Sequence, residues 1–308
     1  MAMELGDVKS RLGAGLLAFP VTHFTADLGF DEPAYRANLR NNLAEGPSAL
    51  FCPGGTGEFF SLTLAECRRV VAAAVAEAAG RVPIIAGVGY GTAMAIEFAR
   101  AAEEAGADGV LVLPQYLLKC DQAGLLAHLE AICRAIRIGV VVYNRDNCLV
   151  DPATLEKLAA RCPNLIGFKD GHGDVEQLVA VRSRLGDRLV YIGGMPTAEV
   201  YALPYQAAGF TTYSSAVFNF VPAMAKQFYA ATRSGDRRTT DDLLRRFFMP
   251  YMAIRNRKPG YAVSIVKAGM RLVGRPAGPV RPPLTDLTDA ETAELRRLLA
   301  EVLGVAVA

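Results

Sequence analysis

Short apolar runs rich in β-branched residues alternate with longer amphipathic stretches along most of this chain. The apolar runs are GLLAFPVT from Gly15, SALFCPG from Ser48, VPIIAGVG from Val82 and GVLVLP from Gly109, then IGVVVYN from Ile138, LIGFKD from Leu165, LVYIGG from Leu189 and FTTYSSAV from Phe210. Runs of this length, bounded by turn formers, predict buried strands. The stretches between them, such as LAECRRVVAAAVAEAAG, AMAIEFARAAEEAG, DQAGLLAHLEAICRAI and DPATLEKLAARC, carry apolar residues at helical spacing. Several open on Asp, Ser or Thr as an N-cap and close on Gly.

Eight β/α units are what a closed (β/α)8 TIM barrel requires. An open doubly wound sheet uses the same alternation, and the count favours the barrel. Beyond Val221 the strand signal ends, and DDLLRRFFMPYMAIRN and TDAETAELRRLLAEVL read as helices. No Gly/Ser-rich linker intervenes. The expected organisation is therefore a barrel core over residues 1–221, with 222–308 forming the last barrel helix and a C-terminal helical extension packed against it.

Composition narrows the function. A chain of 308 residues suits one α/β barrel, and its net charge of +2 is scattered along helix faces such as RSRLGDR. Without a basic block, nucleic acid is not an expected partner. The segment MAMELGDVKSRLG is too polar for a signal peptide, and no apolar run approaches the ~20 residues that span a bilayer, so a cytoplasmic protein without a membrane partner is expected. The cysteines at 52, 67, 120, 133, 148 and 162 form no C-x-x-C pair and read as small buried hydrophobes with reduced thiols. His23, His128 and His172 match no ligand spacing, so no metal is expected.

The functional end of a barrel is the carboxyl end of its strands. There the fifth run closes on Tyr143-Asn144 and the sixth on Lys169-Asp170, on neighbouring strands about 5 Å apart. A lysine held among apolar groups such as Phe168 and Ile166 has its pKa lowered, because desolvation disfavours the charged form. A neutral amine attacks ketones, and the resulting protonated imine is an electron sink that needs no bound cofactor. A phenol within reach can relay the protons. The plainer reading is a rim lysine whose ammonium reaches water or pairs with Asp170.

Two glycine clusters follow strands. In CPGGTGEFFSLT, Gly54, Gly55 and Gly57 free the backbone to present N–H groups to an anion, and Thr56 adds a hydroxyl; a tight turn into a helix is the structural alternative. No Gly-Lys-Ser/Thr follows, so this is not a nucleotide P-loop. AGVGYGT lacks the last glycine of G-x-G-x-x-G, which weighs against a nicotinamide reductase. After the eighth run, Ser214, Ser215 and Asn219 offer hydroxyls and an amide to a polar substrate, or a cap to the next helix.

GGTGE, Tyr143-Asn144 and G-F-K-D, in this order and spacing, resemble the dihydrodipicolinate synthase and N-acetylneuraminate lyase superfamily along the whole barrel and into the tail. The resemblance implies a class I, lysine-dependent enzyme of 2-keto acids, with Lys169 as Schiff-base lysine, Tyr143 as proton relay, and Gly55 with Thr56 holding the keto-acid carboxylate. Departures are informative. Gly55 stands where the superfamily loop usually has a first threonine, Pro114-Gln115-Tyr116 keeps one of two tyrosines, and Arg145-Asp146-Asn147 lacks the proline and later arginine typical of the lysine-biosynthesis synthases. These argue against dihydrodipicolinate synthesis.

GGTGEFFSLT, LPQYLL, YNRDN, GFKDG and TTYSSAVFNF look instead like the decarboxylating dehydratase branch that acts on 5-dehydro-4-deoxyglucarate. That implies a keto-diacid substrate and no cofactor. Ser214, Asn219 or Arg145 are expected at its far end, and a homotetramer in which Tyr116 reaches a neighbouring subunit's site. A pyruvate-releasing aldolase or synthase on a 2-keto sugar acid is the nearest alternative, and a sugar-acid sensor without turnover the more distant one.

Overall fold

The computed structural model describes residues 3–115 and 117–304. Eight parallel strands close into a barrel in sequential order: β1 (Leu17–Ala18), β2 (Ala49–Phe51), β3 (Ile84–Val88), β4 (Gly109–Val112), β5 (Gly139–Asn144), β6 (Leu165–Asp170), β7 (Val190–Gly193) and β8 (Thr212–Ser215). β1 pairs with both β2 and β8, which closes the ring and excludes the open sheet. β1 is far shorter than its apolar run. Pro20 lies two residues beyond it and has no N–H to give to a ladder.

Helices cover the outside, so the strands are buried on both faces and carry few polar residues. Local chemistry sets where the helices begin. Thr63 and Glu66 form a reciprocal capping box ahead of Leu64–Ala78, and the Asp121 and Asp151 carboxylates accept the amides of Gly124 and Thr154 at 2.8 and 2.6 Å. Each cap contributes about 1 kcal/mol. An N-terminal helix, Leu5–Gly13, has no counterpart in the apolar pattern. It buries Val8 and Leu12 beneath the amino ends of the strands, where Lys9 and Arg11 donate to the carbonyls of Asp187 and Arg81.

The chain beyond Val221 is helical, with Pro222–Ser234, Arg237–Leu243, Met249–Arg255, Tyr261–Leu272 and Asp289–Leu303. Arg237–Leu243 and Met249–Arg255 are joined through a π-helical turn, Leu244–Phe248, so DDLLRRFFMPYMAIRN is wound as one interrupted helix. Pro250 explains the interruption, since its ring crowds the preceding turn and it lacks the N–H for the regular bond.

Buried charge ties this extension to the loop after β2. Lys267 Nζ lies 2.6 Å from Glu58 Oε1, both side chains fully excluded from solvent, and also donates to the Pro279 carbonyl at 2.7 Å. The Arg281 amide donates to Glu58 Oε2 at 2.9 Å, while its guanidinium bridges Glu66 and the carbonyls of Leu28 and Ser61. Hydrogen bonding to Arg281 holds the Glu66 carboxyl at about 2, well under its ordinary value.

Candidate active site

Tyr143 and Lys169 occupy paired positions on β5 and β6. Side chains alternate across a strand, so both enter the barrel while Asn144 and Asp170 point the other way. The Lys169 ammonium lies 3.5 Å from the Tyr143 ring centroid, 5.2 Å from that of Phe19, and 3.5 Å from the Gly194 carbonyl. Its apolar surroundings are therefore these rings. The same alternation places Phe168 on the far face, where its ring meets Phe210, which corrects the expectation that it encloses the amine; at Ile166 the β5–β6 register shifts, and its side chain lies against Gly139, four residues before Tyr143 on β5.

Pairing of Lys169 with Asp170 is also excluded. Asp170 is wholly buried, and its oxygens accept from Asn144 Nδ2 at 2.9 Å, the amides of His172 and Gly173 at 3.2 and 2.9 Å, and the Tyr205 hydroxyl at 2.8 Å. It shapes the loop after β6. Among the described residues Lys169 is left with no carboxylate partner, and burial pulls its ammonium below the ordinary lysine value, against the opposing influence of Tyr143.

The Tyr143 hydroxyl donates to the Gly194 carbonyl at 2.6 Å and accepts from Arg145 Nη1 at 3.2 Å. Burial would raise its pKa, but the charges of Lys169 and Arg145 together outweigh burial and bring the phenol below its usual value. Amine and phenol are thus both shifted downward, the phenol in part through the charge of the amine. Arg145 projects from a tight turn closed by reciprocal backbone bonds with Cys148, and Asp146 within that turn is left-handed (φ 50°). Gln115, in place of a tyrosine, braces the turn by donating to the Asn147 carbonyl at 2.5 Å.

A cavity of about 310 Å³ opens above the lysine, within the range of small-molecule sites. Of the residues singled out in the sequence, Gly55, Thr56, Tyr143, Arg145, Lys169 and Ser214 line it. The amides of Gly55 and Thr56 and the Thr56 hydroxyl have no acceptor among the described residues, which leaves donors free for an anion. A Cβ built at Gly55 meets nothing within 4 Å, whereas one at Gly54 would lie 2.8 Å from the Phe19 ring. Gly54 is therefore a packing glycine behind the loop.

The structure does not bring Asn219 to the cavity. Its amide donates to the carbonyls of Phe19 and Ala216 at 2.9 Å each and accepts from the Val21 amide, spending its capacity on joining β1 to the turn after β8. Ser215 also faces away, donating to Glu199 Oε1 at 2.6 Å. Burial lifts that carboxyl to about 7. Tyr116 lies outside the described residues. Of the cysteines, all but Cys120 are buried.

The chain as a whole has relatives among known proteins. Residues 13–302 match the model described as the dihydrodipicolinate synthetase family. The chain belongs to that family. A protein of Methylobacterium radiotolerans, described as "probable 5-dehydro-4-deoxyglucarate dehydratase", is 62% identical over 300 residues, covering 97% of this chain and 99% of that one. One of Ralstonia nicotianae with the same description is 60% identical over 295 residues, covering 96% and 95%. The crystal structure of dihydrodipicolinate synthase from Bacillus clausii superposes with a TM-score of 0.88 at 26% identity, covering 96% of this chain and 99% of that one.

Several residues of this family member's site escaped the sequence reading. Gly194, after β7, admits the lysine, because a Cβ there would lie 2.7 Å from both Lys169 Cγ and Nζ and 2.6 Å from the Asp170 carbonyl oxygen. Gly171 likewise leaves room for the Tyr143 ring. Tyr251, Arg255, Ala262 and Val263 come from the C-terminal extension, whose helices had been read as packing alone. The spacing of Tyr251 and Arg255, one turn apart, was the available signal for a shared face.

Proposed function

We propose that this protein converts 5-dehydro-4-deoxyglucarate to 2,5-dioxopentanoate, water and carbon dioxide through a Schiff base on Lys169. The observation that carries the reading is a buried amine, free of any carboxylate partner and stacked on a phenol, at the floor of a cavity with unoccupied anion donors. The 57–62% identity to proteins bearing the dehydratase description supports the choice of substrate.

The residues suit each step. Free donors at Gly55 and Thr56 hold the carboxylate beside the ketone, and the neutral Lys169 amine adds to the ketone carbon. Tyr143 supplies the proton with which the carbinolamine oxygen leaves as water, giving the protonated imine. Removal of a proton from the adjacent CH2 by the phenolate yields an enamine, whose electrons expel the hydroxyl on the next carbon as water once it takes up a proton. The conjugated iminium now ends on the carbon next to the one bearing the far carboxylate. Cleavage of that carbon–carboxylate bond releases carbon dioxide and returns the electron pair to the nitrogen. Protonation of the resulting dienol, its tautomerisation to an aldehyde, and hydrolysis of the imine release the product and restore the amine.

The test is intact mass after incubation with 5-dehydro-4-deoxyglucarate and borohydride, with peptide mapping of the modified residue. A reduced adduct on Lys169 lacking the elements of water and carbon dioxide is expected, with 2,5-dioxopentanoate in solution. Released pyruvate would assign an aldolase instead, and an unmodified Lys169 in folded protein would remove the mechanism. With this reading go a cytoplasmic location and a tetrameric assembly; the exposed side chains of Leu117 and Leu118, in the segment after β4, support an assembly, and mass in solution tests it.

A further inference from the structure

The C-terminal extension gives the cavity a wall that includes a cation without a counterion. Arg255 ends the helix Met249–Arg255 and lines the cavity one turn beyond Tyr251. Its Nε is buried with no hydrogen-bond partner, and among the described residues its guanidinium makes no ion pair. Burial draws the guanidinium below its ordinary value, Tyr251 and Tyr201 oppose this, and the charge of Arg145 adds to it. Both arginines thus stand over one space. Among the described residues the only acid in the lining, Asp146, is 70% exposed at its side chain and already pairs with Arg145 Nε at 3.1 Å. A buried donor without an acceptor is costly, and an anion in the cavity would remove that cost.

We propose that Arg255 binds the carboxylate at the far end of the substrate, the one that departs as carbon dioxide, and so selects six-carbon diacids over keto acids ending in a neutral group. The proposal rests on the dehydratase reading above. A guanidinium presents paired N–H donors at the spacing of a carboxylate, while Arg145 is already engaged by Asp146 and the Tyr143 hydroxyl. Cleavage needs the carbon–carboxylate bond turned across the plane of the conjugated iminium, so that its electron pair enters the π system. A contact from the wall that the C-terminal extension supplies fixes that rotation. The carboxylate loses its charge as it leaves, so an ion pair to it is weaker at the transition state than in the bound substrate. Arg255 therefore acts in binding and orientation, and its signature belongs in KM more than in kcat.

The experiment compares wild type, Arg255→Gln and Arg255→Lys with three probes: the six-carbon diacid, its analogue with a terminal hydroxymethyl group in place of the far carboxylate, and pyruvate, which has no far end. Loss of the charge-assisted contact is expected to raise KM for the diacid about 10- to 100-fold in Arg255→Gln, with partial recovery in Arg255→Lys. Borohydride trapping of pyruvate on Lys169 should be retained in both, as should the KM of the hydroxymethyl analogue. An unchanged diacid KM in Arg255→Gln would overturn the proposal, as would equal losses for all three probes, which would make the residue a support of the fold. Failure of the dehydratase reading shows separately, as wild type that traps pyruvate and does not turn over the diacid.

Discussion

Gly194→Ala tests how far the chemistry depends on one missing methyl group. Gly194 has no left-handed backbone angle, so alanine is acceptable to the main chain itself and its cost arises only from what the Cβ meets. That Cβ would lie 2.6 Å from the Asp170 carbonyl oxygen and 2.7 Å from Lys169 Cγ and Nζ, where ordinary contacts begin near 3.4 Å. The carbonyl belongs to β6 and is held by the barrel, so relief requires both a displacement of the backbone at Gly194 and a shift of the lysine. Overpacking of this kind costs about 1–3 kcal/mol, offset in part by about 0.4–1 kcal/mol from the stiffer unfolded chain. With an unfolding entropy of about 0.6 kcal/mol/K for 308 residues, the midpoint should fall by no more than about 4 °C. The kinetic effect should be far larger, because displacing a reacting atom by about 1 Å costs on the order of 100-fold. The assay is the rate of borohydride-trapped adduct on Lys169 beside a thermal melt, with Gly6→Ala, which lies in the N-terminal helix and meets nothing within 4 Å, as the control. Trapping at the wild-type rate in Gly194→Ala would refute the argument that this close approach places the amine.

Tyr143→Phe should lower kcat about 100- to 10,000-fold, and, because the phenol holds the lysine pKa up, should move the acid limb of the kcat/KM profile to lower pH; Arg145→Gln, which removes a charge that pushes it down, should move that limb the other way. Lys267→Met leaves Glu58 buried without its counterion and should destabilise the fold by about 3–5 kcal/mol in urea unfolding, most of it recovered in the double variant with Glu58→Gln. Burial lowers His23 to about 4, so the unfolded chain takes up its proton first and stability drains away as pH falls from 6.5 through 4. Burial raises Glu199 to about 7, so its contribution is full below 4.5 and is lost as pH rises through 7. His23→Gln should therefore flatten the acid side of the stability profile relative to wild type, and Glu199→Gln the neutral side.

The barrel was legible because eight apolar runs recur at β/α spacing and each strand is buried on both faces, a pattern that polar substitutions on one face would have blurred. Lys169, Tyr143 and the Gly55-Thr56 loop were legible for a related reason, since all stand at strand ends and their types are unusual there. What escaped was set by three-dimensional approach. Nothing in YIGGMPTAEV marks Gly194 as the residue that leaves space for a lysine 25 positions earlier. Asn219 looked like a ligand because an amide after β8 is near the mouth, but composition carries no information on which way it turns, and the unpaired groups of β1 claimed it. Arg255 was hidden by its setting, a helix rich in Phe, Met and Tyr that reads as packing.

The cavity has two kinds of wall. Strand ends supply the amine, the phenol and the carboxylate donors, while Tyr251, Arg255, Ala262 and Val263 arrive from the tail. On the roles proposed above, reactivity and selectivity would be inherited from separate parts of the chain, and substitutions in the tail would retune which far end is accepted without rebuilding the imine chemistry. That freedom has a limit. The tail is pinned through Lys267 to Glu58, two residues from Thr56, so descendants can rewrite this wall but cannot shed it without also loosening the loop that grips the other end of the substrate.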